Sequence, residues 1–90
     1  MAFLFKFSSE MGIDFPEAYG RVVRIEGDQE KMVATMHIFA SQSARDNGKQ
    51  PLSFPTIAYA PNLADGSPNL FRQAYDRFRQ ESAFEAAVEI

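Results

Sequence analysis

Tyr19-Gly-Arg-Val-Val-Arg-Ile25 and Lys31-Met-Val-Ala-Thr-Met-His-Ile-Phe-Ala40, separated by Glu26-Gly-Asp-Gln-Glu30, read as the two arms and the loop of one β-hairpin. Side chains alternate between faces along a strand, so a period of two is the signature to look for. The first arm places Tyr19, Arg21, Val23 and Ile25 on one side and Gly20, Val22, Arg24 and Glu26 on the other, a half-wet pattern. The second arm is richer. Met32, Ala34, Met36 and Ile38 line one face, and Val33, Thr35, His37 and Phe39 the other. Two largely apolar faces predict a central strand, or one whose second face meets a partner. Gly27 and Asp28 supply turn chemistry in a loop longer than the tight two-residue type.

The flanking segments supply the rest of a small domain. Ala2 to Phe7 reads as an opening strand with Phe3, Phe5 and Phe7 on one side and Leu4 and Lys6 on the other. Ser8 to Gly12 reads as a turn. Ile13 to Pro16 reads as a short edge segment, because Pro16 has no N–H to give a ladder. After Ala40 the chain turns polar, and Ser41 or Ser43 is placed to cap a single helical turn ending near Asn47-Gly48. Leu52 to Ala60 returns to strand character, with Phe54, Thr56, Ala58 and Ala60 alternating with Ser53, Pro55, Ile57 and Tyr59, and Thr56 to Ala60 is its firm part. Pro55 makes the stretch before it irregular or marginal to the sheet, and Pro61 ends the strand. Asp65-Gly66 marks a bend.

The clearest helix follows. Ser67 is read as its N-cap and Pro68 as its first residue, and Leu70, Phe71, Ala74, Tyr75 and Phe78 recur at intervals of three and four. One apolar stripe is what a helix laid on a sheet requires. An Asp at Leu70 or Phe78 is expected to cost about 3–5 kcal/mol. Val88-Glu-Ile90 reads as a brief strand or an extended docked end. The predicted architecture is therefore a single α+β domain over residues 1–90, with a small antiparallel sheet of about four strands covered on one side by one main C-terminal helix.

Composition narrows the function classes. The chain has 90 residues, nine Phe, three Tyr, one His and no Cys or Trp, and its formal charge is −3 from 9 basic and 12 acidic residues. A domain of this size buries only roughly 60–65% of its unfolded surface, and the aromatic supply must build the core without cross-links. One His and no Cys argue against a zinc site. The net charge argues against a nucleic-acid partner, which favours basic modules. The apolar start is too short to span a membrane. His37 sits in an apolar strand with no sequence neighbour to activate it. Asp14, Glu17, Glu26, Asp28 and Glu30 fall near turns as solvated loop ends without forming a paired site, Asp28, Glu30 and Asp65 lack calcium-loop spacing, and the five glycines fall singly without forming a phosphate cradle. Arg72, Arg77 and Arg79 form a basic helix face diluted by Asp76 and Glu81. No catalytic residue, cofactor or metal is expected. The expected activity is association, with Val33, His37, Phe39, Arg45, Lys49 and Gln50 as the candidate interface.

Three stretches carry a resemblance. They are Phe15-Pro-Glu-Ala-Tyr19-x-Arg-Val, then Ile38-Phe-Ala-Ser-Gln-Ser-Ala-Arg45-x-x-Gly48-Lys-x-Pro51-Leu, and Asn69-Leu-Phe-Arg-Gln-Ala-Tyr75-x-x-Phe78 with Phe84-x-x-Ala87-Val88. In order and spacing they resemble small proteins from the virion and tail structural-gene regions of bacteriophages and prophages. The resemblance implies a tail-associated or assembly part that self-associates or docks on a larger phage structural protein, in the virion or in the host cytoplasm during assembly. It brings no catalytic residues with it. The other reading of the same surfaces is a binding or regulatory module that acts on a host or phage protein.

Overall fold

The computed structural model describes residues 1–9 and 11–90. Strands β1 (Phe3–Ser8), β2 (Asp14–Gly27), β3 (Met32–Phe39), β4 (Thr56–Tyr59) and β5 (Val88–Glu89) form one sheet in the order β4-β3-β2-β1-β5, antiparallel at every pairing. A short helix, α1 (Gln42–Asp46), follows β3, and the main helix, α2 (Leu70–Arg79), precedes a 3-10 turn at Ser82–Phe84. The α+β class and the single main C-terminal helix match the expectation. The fifth strand is the C-terminal Val88–Glu89, which lies beside β1 while Ala2 and Ile90 exchange backbone hydrogen bonds of 3.0 and 2.9 Å.

The deciding hairpin forms, with one change of register. Between Val22 and Arg24, β2 advances two residues while β3 advances one, from Met36 to Thr35. Val23 is the extra residue of a β-bulge, which bends the strand and reverses the alternation beyond it. Gly20, Val22, Ile25 and Gly27 therefore oppose Ile38, Met36, Ala34 and Met32 on the core face, and Tyr19, Arg21, Arg24 and Glu26 oppose Phe39, His37, Thr35 and Val33 on the other. The strict alternation expected for the first arm fails beyond the bulge: Ile25 packs on the core and Val23 is 44% exposed. The alternation of β3 stands, and β3 is an interior strand of the sheet, paired with β2 on one side and β4 on the other.

Residues 13–16 do not form a separate edge segment. Asp14, Phe15 and Pro16 belong to β2, which runs without a break from Asp14, and Ile13 directly precedes it. A second irregularity lies between the Phe5–Ala18 and Phe7–Phe15 pairs, so Pro16 and Glu17 together face the single residue Lys6. Pro16 sits in this bulge, where a missing N–H is tolerated, and β3 pairs with β2 only from Tyr19 onward. In the connection before it, Ser9 accepts from the Gly12 N–H at 3.0 Å, and Gly12 has a φ of +77°. Glu10, in the middle of the turn expected over Ser8–Gly12, lies outside the described residues.

Helix α2 begins later than expected. Its N-cap is Asn69, whose side chain accepts from the Arg72 N–H at 2.8 Å, and Ser67 and Pro68 precede it. Asn is as good a cap as Ser. The Gln73 side chain secures the approach by donating to the carbonyls of Pro68 and Asn62. Ala74, Tyr75 and Phe78 are buried, Leu70 is half-buried, and Phe71 is 47% exposed. The stripe is thus narrower than its sequence pattern, and the cost foreseen for a charge at Leu70 falls accordingly. The three arginines serve the fold. Arg72 pairs with Asp76 and with Glu89 of β5, Arg77 lies 3.2 Å from Glu81, and the Arg79 guanidinium sits 4.9 Å from the centroid of the Phe3 ring while donating to the Ala87 carbonyl.

The core lies between α2 and the sheet. Phe3 meets Tyr75 edge-on with centroids 5.1 Å apart, and Phe84 lies 4.9 Å from Phe5 and 5.6 Å from Phe78. These are the offset and edge-to-face arrangements that aromatic quadrupoles favour. Gly20 permits this packing. A Cβ there would lie 2.8 Å from the Met36 sulfur and 3.0 Å from a Phe5 ring carbon. Gly20→Ala is expected to destabilise by about 1–3 kcal/mol through overpacking, read as a lower urea midpoint with an unchanged slope.

Candidate functional site

The face of the sheet turned away from α2 carries the candidate interface. It is built from alternate residues of three strands, and the bulge at Val23 keeps it continuous by returning Arg24 and Glu26 to the side of Tyr19 and Arg21. Val33, His37 and Phe39 lie on it in one row along β3, each half-buried. Thr35 continues the row between Arg24 and Thr56, and Val33 lies between Glu26 and Ala58. Tyr19, opposite Phe39, is buried, with ring centroids 6.4 Å apart.

β4 is effectively longer than its four regular residues. The Met36 N–H donates to the Pro55 carbonyl at 2.9 Å and the Ile38 N–H to the Ser53 carbonyl at 3.0 Å. This keeps the register that pairs Thr35 with Thr56 and sets Phe54 beside His37. The two rings meet edge-on at 4.9 Å, yet Phe54 remains 57% exposed. The alternation of Phe54 with Thr56 and Ala58 is legible in the sequence, but reading Pro55 as an irregularity left Phe54 out of the candidate interface. Pro55 and Ser53 are needed in the ladder only as acceptors, and proline keeps its carbonyl.

Arg45, Lys49 and Gln50 stand apart from the row. Ser41 caps α1 by accepting from the Ala44 N–H at 3.0 Å, and α1 packs against β2 and β3. Arg45 pairs with Asp46 at 3.2 Å, the Lys49 N–H closes the turn on the Ala44 carbonyl, and Gly48 has a φ of +73°. Arg45, Lys49 and Gln50 are exposed on this turn, which begins two residues after Phe39. The structure therefore divides the six candidates into an apolar row on β3 and a polar cluster at its end. Charged side chains also border the row, with Arg21 opposite His37 and with Arg24 and Glu26 paired at 2.9 Å. An apolar centre within a charged rim is the usual anatomy of a protein contact surface.

A hollow of about 540 Å³ adjoins Phe54, lined by Phe7, Ser9 and Met11 from the β1–β2 connection and by Leu52, Ser53, Phe54 and Pro55. None of these side chains is charged. At the opposite end of the hairpin Asp28 has a structural task. Its carboxylate accepts from the N–H groups of Lys31 at 3.0 Å and Glu30 at 2.9 Å, and these bonds hold it below the usual carboxylate range. Among the described residues no three His, Cys, Asp or Glu side chains converge as a metal site would require, and no helix is long and apolar enough to cross a membrane. No family model, curated protein or solved structure matches the chain.

Proposed function

We propose that this chain is a structural or assembly component that acts by packing against other protein surfaces without catalysis, in a phage-like particle and associated with its tail. The observation that carries the associative part is the half-buried row Val33, His37 and Phe39, extended by the exposed Phe54 on a β-sheet face that α2 leaves free. Aromatic side chains held rigidly by a sheet make good contact anchors, because little side-chain entropy remains to be lost on binding. The particle assignment rests on the sequence resemblance to phage structural-region proteins.

Mass measurement by light scattering tests the associative part. The wild-type chain, at 10.1 kDa per copy, is expected to form assemblies larger than a dimer. Phe39→Ser removes the ring that faces Tyr19 and is expected to reduce those assemblies to the dimer or below, with folding stability lowered by no more than about 1–2 kcal/mol. A wild-type mass that Phe39→Ser leaves unchanged would count against the row as the packing surface. The tail association is tested by co-expression with a complete set of tail proteins, where the chain is expected to co-purify with tail particles and its Phe39→Ser variant is not.

A further inference from the structure

The two edges of the sheet differ in how they are protected. β5 is two residues long and carries Glu89, which is tied to Arg72. β4 forms the other edge, and from Leu52 to Pro61 it has no charged residue. Charges, prolines and short strands are the ordinary defences of an exposed edge. Pro55 and Pro61 flank the regular strand, but the register places neither of them to block this edge. Pro55 accepts from Met36, so it belongs with Ile57 and Tyr59 to the positions whose backbone groups face β3. Pro61 has the same parity. Thr56 and Ala58 have the other parity, and their N–H and C=O groups point outward.

We infer that the β4 edge pairs antiparallel with the same edge of a second copy of this chain, about a two-fold axis at Ile57. In this register Thr56 of one copy lies opposite Ala58 of the other, and each such pair exchanges two N–H···O=C bonds, so all four outward groups of each copy are satisfied. Phe54 falls opposite Ala60, a large side chain against a small one, on the face that also bears His37. No like charges meet along the edge, and two five-stranded sheets become one continuous sheet with α2 of each copy on the same side. This pairing goes beyond the sheet-face packing proposed above and does not depend on it, since it uses main-chain groups of β4 and leaves Phe39 free.

The test is made in the Phe39→Ser background, where the face is disabled. At about 0.1 mM this chain is expected to have twice the 10.1 kDa monomer mass. Adding Ala58→Pro removes one outward N–H per copy and no bond to β3, and is expected to raise the dimer dissociation constant about tenfold or more. Ala58→Lys, which keeps the backbone donor and adds a charge to the edge, is expected to weaken the dimer similarly and decides the matter should the proline variant fail to fold. The register has its own readout, because the chain contains no native cysteine. A mixture of Phe54→Cys and Ala60→Cys chains is expected to cross-link through a short bis-maleimide. Either chain alone is not, its two thiols lying about 20 Å apart across the axis. A monomer at 0.1 mM, a dimer indifferent to both Ala58 variants, or cross-linking of either chain alone would overturn the proposal.

Discussion

Phe78→Ala is expected to lower folding stability by about 3–5 kcal/mol. Phe78 is 1% exposed and lies on the buried line of α2 that also carries Ala74. Its ring packs edge-on against Phe84, which in turn meets Phe5 of β1, so one side chain joins the helix, the 3-10 turn and the sheet. Removing it takes away both the transfer free energy of the ring and the contacts of the cavity walls, which belong to three elements and cannot collapse inward together. Domains of this size have only about 5–15 kcal/mol of stability in total, so the variant is expected to lose about 15 °C or more in Tm. Phe71→Ala is the matched control. Phe71 belongs to the same sequence pattern but is 47% exposed, and its truncation is expected to cost within about 1 kcal/mol. Equal losses at the two positions, in thermal or urea unfolding, would show that α2 does not lie on the sheet as described.

The contrast between these two phenylalanines shows how far periodicity reaches. Spacing in sequence identified the helix and the side it buries, because a period of 3.6 is a local property of the backbone. It could not set the width of the buried stripe, which depends on the tilt of α2 across a sheet assembled from distant segments. The same division holds for the strands. Alternation in β3 was legible because nothing interrupts Met32–Phe39. Alternation in β2 was not, because two bulges insert residues at Pro16-Glu17 and Val23, and a bulge is defined by the partner strand. The candidate interface was legible to the same extent. Val33, His37 and Phe39 were found by their shared parity on one regular strand. Phe54 was passed over because its neighbour Pro55 reads as a break, although the ladder continues through the Pro55 carbonyl.

Tyr75 carries the second large effect, and its source is a hydrogen bond that no sequence pattern announces. Continuing the pairing of Phe3 with Gly20 would place Met1 opposite Val22, but β1 begins only at Phe3. The Tyr75 hydroxyl fills that place in the ladder. It accepts from the Val22 N–H and donates to the Met1 carbonyl, both at 2.8 Å. Val22 is 3% exposed, so its N–H has no ready access to water. Tyr75→Phe keeps the ring against Phe3 and leaves that donor unpaired, and is expected to cost about 2–3 kcal/mol, well above the 1 kcal/mol or so of an average hydrogen bond. Amide exchange at Val22 is expected to accelerate by more than the global loss of stability explains. An unchanged urea midpoint would show that the hydroxyl is dispensable. The pH dependence follows from the same geometry. Burial pushes the Tyr75 hydroxyl above its ordinary pKa of about 10, an effect the Val22 N–H opposes by favouring the anion. The folded chain therefore keeps its proton where the unfolded chain has released it. This contribution to stability is fully present below about pH 10 and is lost as pH rises from there through the folded-state value. Tyr59, whose hydroxyl donates to the Leu70 carbonyl at 2.9 Å and is likewise raised by burial, adds a contribution of the same sign. The wild type is thus expected to lose stability more steeply above pH 10 than Tyr75→Phe, so that the gap between the two urea midpoints narrows with rising pH.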